Sequence, residues 1–395
     1  MFTFRTAGET HGPALVAIVE GVPAGMPFDR AVVNRELARR QVGYGRGERM
    51  QIEKDEVEVL SGVRFGRTLG GPVAMLLRNR DWENWTEKMA QEGEGREIPP
   101  LTTARPGHAD LGGVLKYGHR DVRNVLERAS ARETAARVMA GALARMVLRE
   151  MGAEIAGHVV SIGRVRVSRE TEGSWNLAVQ SGKSDLRMAD PVAARRAVAL
   201  IDRAKKAGST VGGTVEVIGR GVPPGLGSFV SWDRKLDGRL AQALMSIHAV
   251  KGVEIGGGFA LESLPGVAVH DEIFPGKRRG NRLLGGLSLP FHRKTNRAGG
   301  VEGGMTNGEP LVVRAAMKPI PTQSNPLRTV TIGNWKRDDA HRERSDVCAV
   351  PACSVVAETM VAITLASAFL EKFGGDSMSE IHYNYTGYLR RIGCR

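Results

Sequence analysis

The chain has 395 residues, of which 42% are hydrophobic and 25% charged, enough for a sizeable core and ordinary for a folded globular protein. Its 56 Lys and Arg stand against 43 Asp and Glu, and a surplus of +13 points to nucleic acid, an acidic membrane surface or strongly anionic small molecules. Aromatic residues make up only 5%, and the arginines lie in Gly-rich segments rather than in one basic block, so small anions are favoured over nucleic acid.

The start, MFTFRTAGETHG, holds no apolar run of signal-peptide length, and no uninterrupted run of about 18 apolar residues is read anywhere; a cytoplasmic protein without a membrane partner is expected. Three cysteines (Cys348, Cys353, Cys394) are too few for a disulfide scaffold and lack zinc-ligand spacing, so free thiols and no metal are expected.

In chain order, residues 13–20 read as a strand and 29–39 as a helix begun by Asp29, with Val33 and Leu37 on one stripe. Strands follow at 53–60 and 71–78. Ser130 and Glu133 have the spacing of a capping box. After them Ala135, Val138, Met139, Ala142, Leu143, Met146 and Val147 keep the helical period up to Gly152. Further strands are expected at 156–168, 213–218, 253–261 and 311–317. Helices are expected at about 236–251, carrying Leu240, Leu244 and Ile247, and from Pro351 to Gly374.

Strands come in groups with helices between the groups, which argues for an α+β fold with antiparallel sheets rather than a doubly wound parallel one. No linker or composition break divides the chain, so one domain over 1–395 is expected, with long loops near 84–101 and 274–300. TLGGPVAMLLR from Thr68 and TVGGTVEVIGR from Thr210 echo each other and suggest an internal duplication.

The chemistry sits in short motifs. GETHG sets His11 between glycines, where an ordinary turn histidine would also fit. In RPGHAD, Pro106 and Gly107 fix a non-helical turn before His108, with Arg105 and Asp110 alongside; such a loop can bind an anion and move a proton. His119 competes with His108 but lacks the Pro-Gly frame. RRQVGYGRGER brings Arg39, Arg40, Arg46 and Arg49 together with three glycines, suited to gripping carboxylates and phosphates. RASARET puts Arg128, Ser130 and Arg132 at a helix start, where free N–H groups attract anions. KPIPT ends a strand, and Asp346 in RSD precedes the last long helix. GRGVPPG at 219–225 imitates a dinucleotide fingerprint, but its prolines occupy the turn where a helix should open, and it is set aside.

Taken together, GETHG, RRQVGYGRGER, RPGHAD, RASARETAAR, SIHAVKG, GGMTNGEPL, KPIPT and RSDVCAVPA resemble the chorismate synthase family, in its motif order and from residue 5 to about 372. The resemblance implies a β-α-β sandwich, a helical layer between two antiparallel sheets, assembled as a homotetramer. It implies a carbon–oxygen lyase of the shikimate pathway that removes phosphate from 5-enolpyruvylshikimate 3-phosphate by 1,4-anti elimination. Reduced FMN is implied as cofactor without net redox change. NADPH or an external flavin reductase would keep it reduced.

By the same resemblance His11 protonates the departing phosphate, His108 supports the reduced flavin and Asp346 relays a proton to or from it. Arg40, Arg46, Arg49, Arg105 and Arg132 neutralise the substrate. FMN contacts fall on Arg128, Ala129, Ser130, His248, Ala249, Gly303, Lys318, Pro319, Ile320, Pro321, Thr322 and Arg344. Ala129 and His248 stand where the family often has Ser and Gln or Asn, and there backbone contacts remain available. The competing readings are a flavin reductase or other FMN-dependent oxidoreductase, and a basic nucleic-acid-binding protein.

Overall fold

Two antiparallel sheets and the long helices between their strands make up most of the computed structural model, which describes residues 1–47, 54–276, 282–343 and 345–394. The first sheet holds β1 (Thr3–Ala7), β2 (Ala14–Glu20), β3 (Val57–Val59) and β4 (Val73–Arg78) in the order β1-β2-β4-β3. The second holds β5 (Glu154–Ile162), β6 (Val165–Arg166), β7 (Gly213–Arg220), β8 (Val250–Ile255) and β9 (Leu311–Met317) in the order β8-β9-β7-β5-β6. Every pairing within them is antiparallel. The α+β expectation therefore holds.

The helices are α1 (Arg30–Gln41), α2 (Asp110–Tyr117), α3 (Arg123–Ala129), α4 (Thr134–Glu150), α5 (Pro191–Lys206), α6 (Leu236–Met245), α7 (Val350–Phe373) and α8 (Met378–Arg391), with a short helix at Trp175–Gln180. α4 packs on β1 and β2 of the first sheet and on α1 and α7 at its sides, while α7 packs on β5 and β7 of the second. Alanines line much of α4, and Gly141 lets α7 come close. A Cβ at Gly141 would stand 2.3 Å from a methyl of Thr359, so this crossing needs the missing side chain. Leu143, Val147 and Met139 are fully buried there; truncating such a leucine to alanine typically costs about 2–5 kcal/mol.

Several expectations need correction. α7, expected from Pro351 to Gly374, is long and apolar enough by length and composition to cross a membrane. Its apolar stretch is wholly buried, between α4 and the second sheet, as a core helix. The Ser130/Glu133 capping box does not form: the Ser130 hydroxyl accepts from Arg132 N–H at 3.3 Å, above a short 3-10 turn. Glu133 instead accepts from Thr6 and Arg137, at 2.7 and 2.8 Å. The helix expected over 236–251 stops at Met245, and the strand after it starts at Val250, before the expected 253, and ends at Ile255. Ala249, at φ +65°, turns the chain between them. The strand at 156–168 breaks after Ile162 at Gly163 into the β5–β6 hairpin.

Helices α2, α3, α5 and α8 went unforeseen, as did β1. Part of the expected 274–300 loop is ribbon, Ile273–Pro275 paired with Phe291–Arg293. Within 84–101 the chain runs mainly as turns after a 3-10 helix at Arg80–Asn84. Asp29 caps α1 as read, accepting from Ala31 N–H at 2.8 Å. The two echoing segments lead into β4 and β7, each an interior strand of its own sheet.

Candidate active site

The GETHG turn connects β1 to β2 and folds back on itself so tightly that a side chain on Gly8 (φ +106°) would lie 2.2 Å from the Ala14 carbonyl oxygen. The turn is pinned to the end of α3. Thr10 N–H and its hydroxyl both donate to the Glu127 carbonyl, at 3.1 and 3.0 Å. The buried Glu127 carboxylate then takes His11 twice: Oε2 accepts the backbone N–H at 2.8 Å, and Oε1 sits 2.7 Å from ring Nδ1. Trp85, from the long 84–101 loop, stacks on the imidazole with ring centres 3.7 Å apart. With Nδ1 committed to a carboxylate, the atom left for proton transfer is Nε2.

The RPGHAD segment builds a second histidine–carboxylate pair. His108 Nδ1 lies 2.5 Å from Asp110 Oδ1. Arg105 donates to both Asp110 oxygens, at 2.8 and 3.1 Å, and to Glu343 at 2.7 Å. Burial alone would raise the Asp110 carboxyl, but the hydrogen bonds from His108 and Arg105 hold it well below the usual carboxylate range. KPIPT arrives at the same place: Lys318 Nζ donates to the Gly107 carbonyl at 2.6 Å, and the Thr322 hydroxyl accepts from Arg105 at 3.1 Å.

A buried arginine pair forms the third part. Arg132 donates to both oxygens of Asp55, at 2.7 and 2.8 Å, and Arg40 donates to Asp55 at 3.1 Å. Burial pulls the Arg40 guanidinium down to about 10, with the neighbouring charges of Arg132 and Arg46 adding to it and Asp55 opposing. Asn79 ties this pair to the histidine turn: its Oδ1 accepts from Arg132 at 3.2 Å, and its Nδ2 donates to the Glu9 and Gly12 carbonyls at 3.1 and 2.7 Å. Arg46 binds Asp346 at 2.7 Å, and the other Asp346 oxygen accepts Gly47 N–H at 2.7 Å.

The remaining expected residues fall as follows. Arg128 donates to the Gly8 and Thr6 carbonyls at 3.2 and 2.9 Å, fastening α3 to the GETHG turn. Ala129 ends α3, and Ser130 begins the next turn. His248 lies within electrostatic reach of Glu133, Arg137, His108 and Arg128, and burial first of all pushes its ring down to about 4. Its Nδ1 is buried without a hydrogen-bond partner among the described residues. The Ala249 carbonyl accepts Lys318 N–H at 2.9 Å, and the Ile320 carbonyl accepts the Thr210 hydroxyl at 2.8 Å, which sets the course of Lys318, Pro319, Ile320, Pro321 and Thr322. Gly303 tips the hairpin of Val301–Glu302 with Met305–Thr306 at φ +59°, with open space where a side chain would stand. Arg49 and Arg344 lie outside the described residues.

Five residues of the candidate site escaped the sequence reading: Asp55, Asn79, Trp85, Glu127 and Glu343. Asp55, Asn79 and Trp85 stand outside the motifs, and Glu127 and Glu343 lie one residue before RASARET and RSD. Only the local Asp110–His108 spacing could have hinted at carboxylate-paired histidines.

The fold and the site thus define an α+β protein with two carboxylate-paired histidines beside a buried arginine cluster. A model of the family described as chorismate synthase matches residues 2–370. The chain is 56% identical to the chorismate synthase of Pelobacter propionicus over 393 residues, covering 99% of each. It is 55% identical to that of Moorella thermoacetica over 395 residues, covering 99% of this chain and 100% of the other. A solved structure described as the crystal structure of chorismate synthase superposes with a TM-score of 0.79 at 43% identity, covering 99% of this chain and 98% of that one. The chain belongs to the chorismate synthase family.

Proposed function

We propose that the protein is a chorismate synthase acting on 5-enolpyruvylshikimate 3-phosphate. The C–O bond to phosphate breaks, a ring C–H proton is lost, and chorismate and phosphate leave without net redox change. The observation that carries the proposal is the Glu127–His11 pair, fixed beside the Arg132–Asp55–Arg40 cluster through Asn79. One group can give a proton to a leaving phosphate while guanidiniums balance the anion.

In this reading His11 acts as an imidazolium: Glu127 accepts its Nδ1–H while the Nε2 proton passes to the phosphate oxygen. Arg40, Arg46, Arg105 and Arg132, with Arg49, meet the substrate's two carboxylates and phosphate. Their internal carboxylate partners keep the cluster from being an unbalanced buried charge before substrate arrives. Asp346 is the proton relay; its Oδ2 must loosen from Arg46 to take a proton.

Reduced FMN would be held by Arg128, Ala129, Ser130, His248, Ala249, Gly303 and Lys318–Thr322, with Arg344 assigned by the family resemblance alone. The unpartnered buried Nδ1 of His248 supports this, as do the cations of Arg128 at the GETHG turn and Lys318 at the RPGH turn. Bound there, reduced FMN would supply electron density as the C–O bond breaks and recover it when the proton leaves. His108, fixed by Asp110, carries the compensating charge or hydrogen bond beside it.

The same reading includes a single domain over residues 1–395 arranged as a β-α-β sandwich. It also includes duplicated halves, supported by the interior positions of β4 and β7, and a cytoplasmic homotetramer. Sedimentation showing a concentration-independent monomer would remove the tetramer. The decisive assay is anaerobic, with photoreduced FMN and enolpyruvylshikimate phosphate. Chorismate formed without net flavin oxidation is the expected result. Flavin oxidised in step with product would make the protein an oxidoreductase. Replacing light by NADPH then tests whether the protein reduces its own flavin.

A further inference from the structure

A second arginine-rich site lies at the other end of α4. The helix starts just after Arg132 and spans about 25 Å over its 17 residues. Near its C-terminal end opens a cavity of about 340 Å³, bounded by α1, α4, the start of β5, the short helix at Trp175–Gln180 and Glu358 of α7. That volume lies within the range of small-ligand sites.

Five arginines line it (Arg35, Arg39, Arg145, Arg149, Arg187) against the glutamates Glu36, Glu154 and Glu358. Glu358, buried at the back, is already shared by Arg39, Arg145 and Arg187, at 2.7, 2.8 and 2.6 Å. Glu36 is held by Arg39 at 2.5 Å. Glu154 is taken by Arg220, which is not part of the lining. The acids are therefore committed. Arg35 and Arg149, exposed on α1 and α4, have no hydrogen-bond or ion-pair partner among the described residues.

The opposite wall is apolar. Met146, Ala156 and Ala178 line it beside the indole of Trp175, which Arg220 caps at 4.2 Å. Paired cations at the back, unpaired cations at the mouth and an indole wall suit a flat ring bearing anionic groups.

We propose that this cavity is a second binding site, separate from the candidate active site, for a small organic dianion carrying a ring. The ring lies along Trp175 and Met146, and the anionic group meets Arg35 and Arg149.

The test uses the whole protein and phenyl phosphate as probe, followed by calorimetry at low salt, where exposed charges are least screened. The catalytic arginines also bind phosphate, so two events are expected in the parent protein. In the double variant Arg35→Ala/Arg149→Ala, one event should weaken by tenfold or more while the other stays unchanged. Both positions are exposed, so the variant should fold; unchanged thermal unfolding checks this. Inorganic phosphate should bind the second site at least tenfold more weakly than phenyl phosphate, and Trp175→Leu should abolish that preference. No event in the parent, or events that all survive the double variant unchanged, overturns the site. Equal binding of the two probes overturns the ring half of the proposal. No turnover is needed, so the outcome is independent of whether the protein makes chorismate.

Discussion

The Glu127 carboxylate binds His11 at two points, the ring Nδ1 at 2.7 Å and the backbone N–H at 2.8 Å. A carboxylate so placed holds both the ring orientation and the tautomer. His11→Ala should therefore lower turnover by about 10²–10⁴-fold, the usual worth of a positioned acid, with a much smaller change in KM because the arginines supply most of the attraction. Glu127→Gln should lower turnover less. ¹⁵N shifts of the His11 ring should then show Nε2–H populated at a pH where the parent is Nδ1–H. An unchanged tautomer in that variant would remove Glu127 from the positioning role.

His108→Ala should also lose about 10²–10⁴-fold in turnover, while His119→Ala stays mild. His119 lies beside Tyr117 after α2 and outside the Arg105–Asp110 network. A crippled His119→Ala with a near-normal His108→Ala would assign the role to His119 instead.

Asp110 is fully buried and binds Arg105 and His108 together. Asp110→Ala should cost roughly 3–5 kcal/mol of stability, because it leaves a buried guanidinium short of its partner. Urea unfolding measures it; a change under 1 kcal/mol contradicts the assignment.

Stability should fall with acid in two windows. His248 is held down at about 4 against an ordinary 6.5, so the unfolded chain binds more protons between those values and stability drops as pH falls through them. Glu358 is opposed by burial, but Arg39, Arg187 and Arg145 bring it to about 2 from 4.5; its contribution is complete above 4.5 and is lost as pH falls toward 2. Denaturant titrations across pH 7 to 4 should show a shallower slope in His248→Asn than in the parent. Equal slopes would refute the first window.

Flavin and substrate should bind cooperatively, because Arg105 joins the RPGH turn to Thr322 and Lys318 joins the same turn to the end of β9. Oxidised FMN should bind tighter by about 1–3 kcal/mol with enolpyruvylshikimate phosphate present. Equal affinities in the two titrations would mean that the sites do not share these loops. Asp346→Asn, which keeps shape but takes no proton, should slow the step after phosphate release in stopped-flow traces.

The sequence alone determined the features that depend on neighbours along the chain. The Asp29 cap, the periodic stripe of α4 and the grouping of the strand-like runs are local signals that set α+β layering. The motif order determined the family, and the Pro-Gly frame placed His108 beside Arg105 and Asp110. Tertiary structure decided what is shared between distant segments. Glu127 meets His11 across 116 positions, and Asp55 meets Arg132 across 77. Buried charges must find partners wherever the fold brings them, so four arginines expected to face substrate also grip internal carboxylates. Packing made the same kind of decision for α7: an apolar helix of spanning length became the core because α4 and a sheet cover it, which no run of hydrophobic letters can reveal.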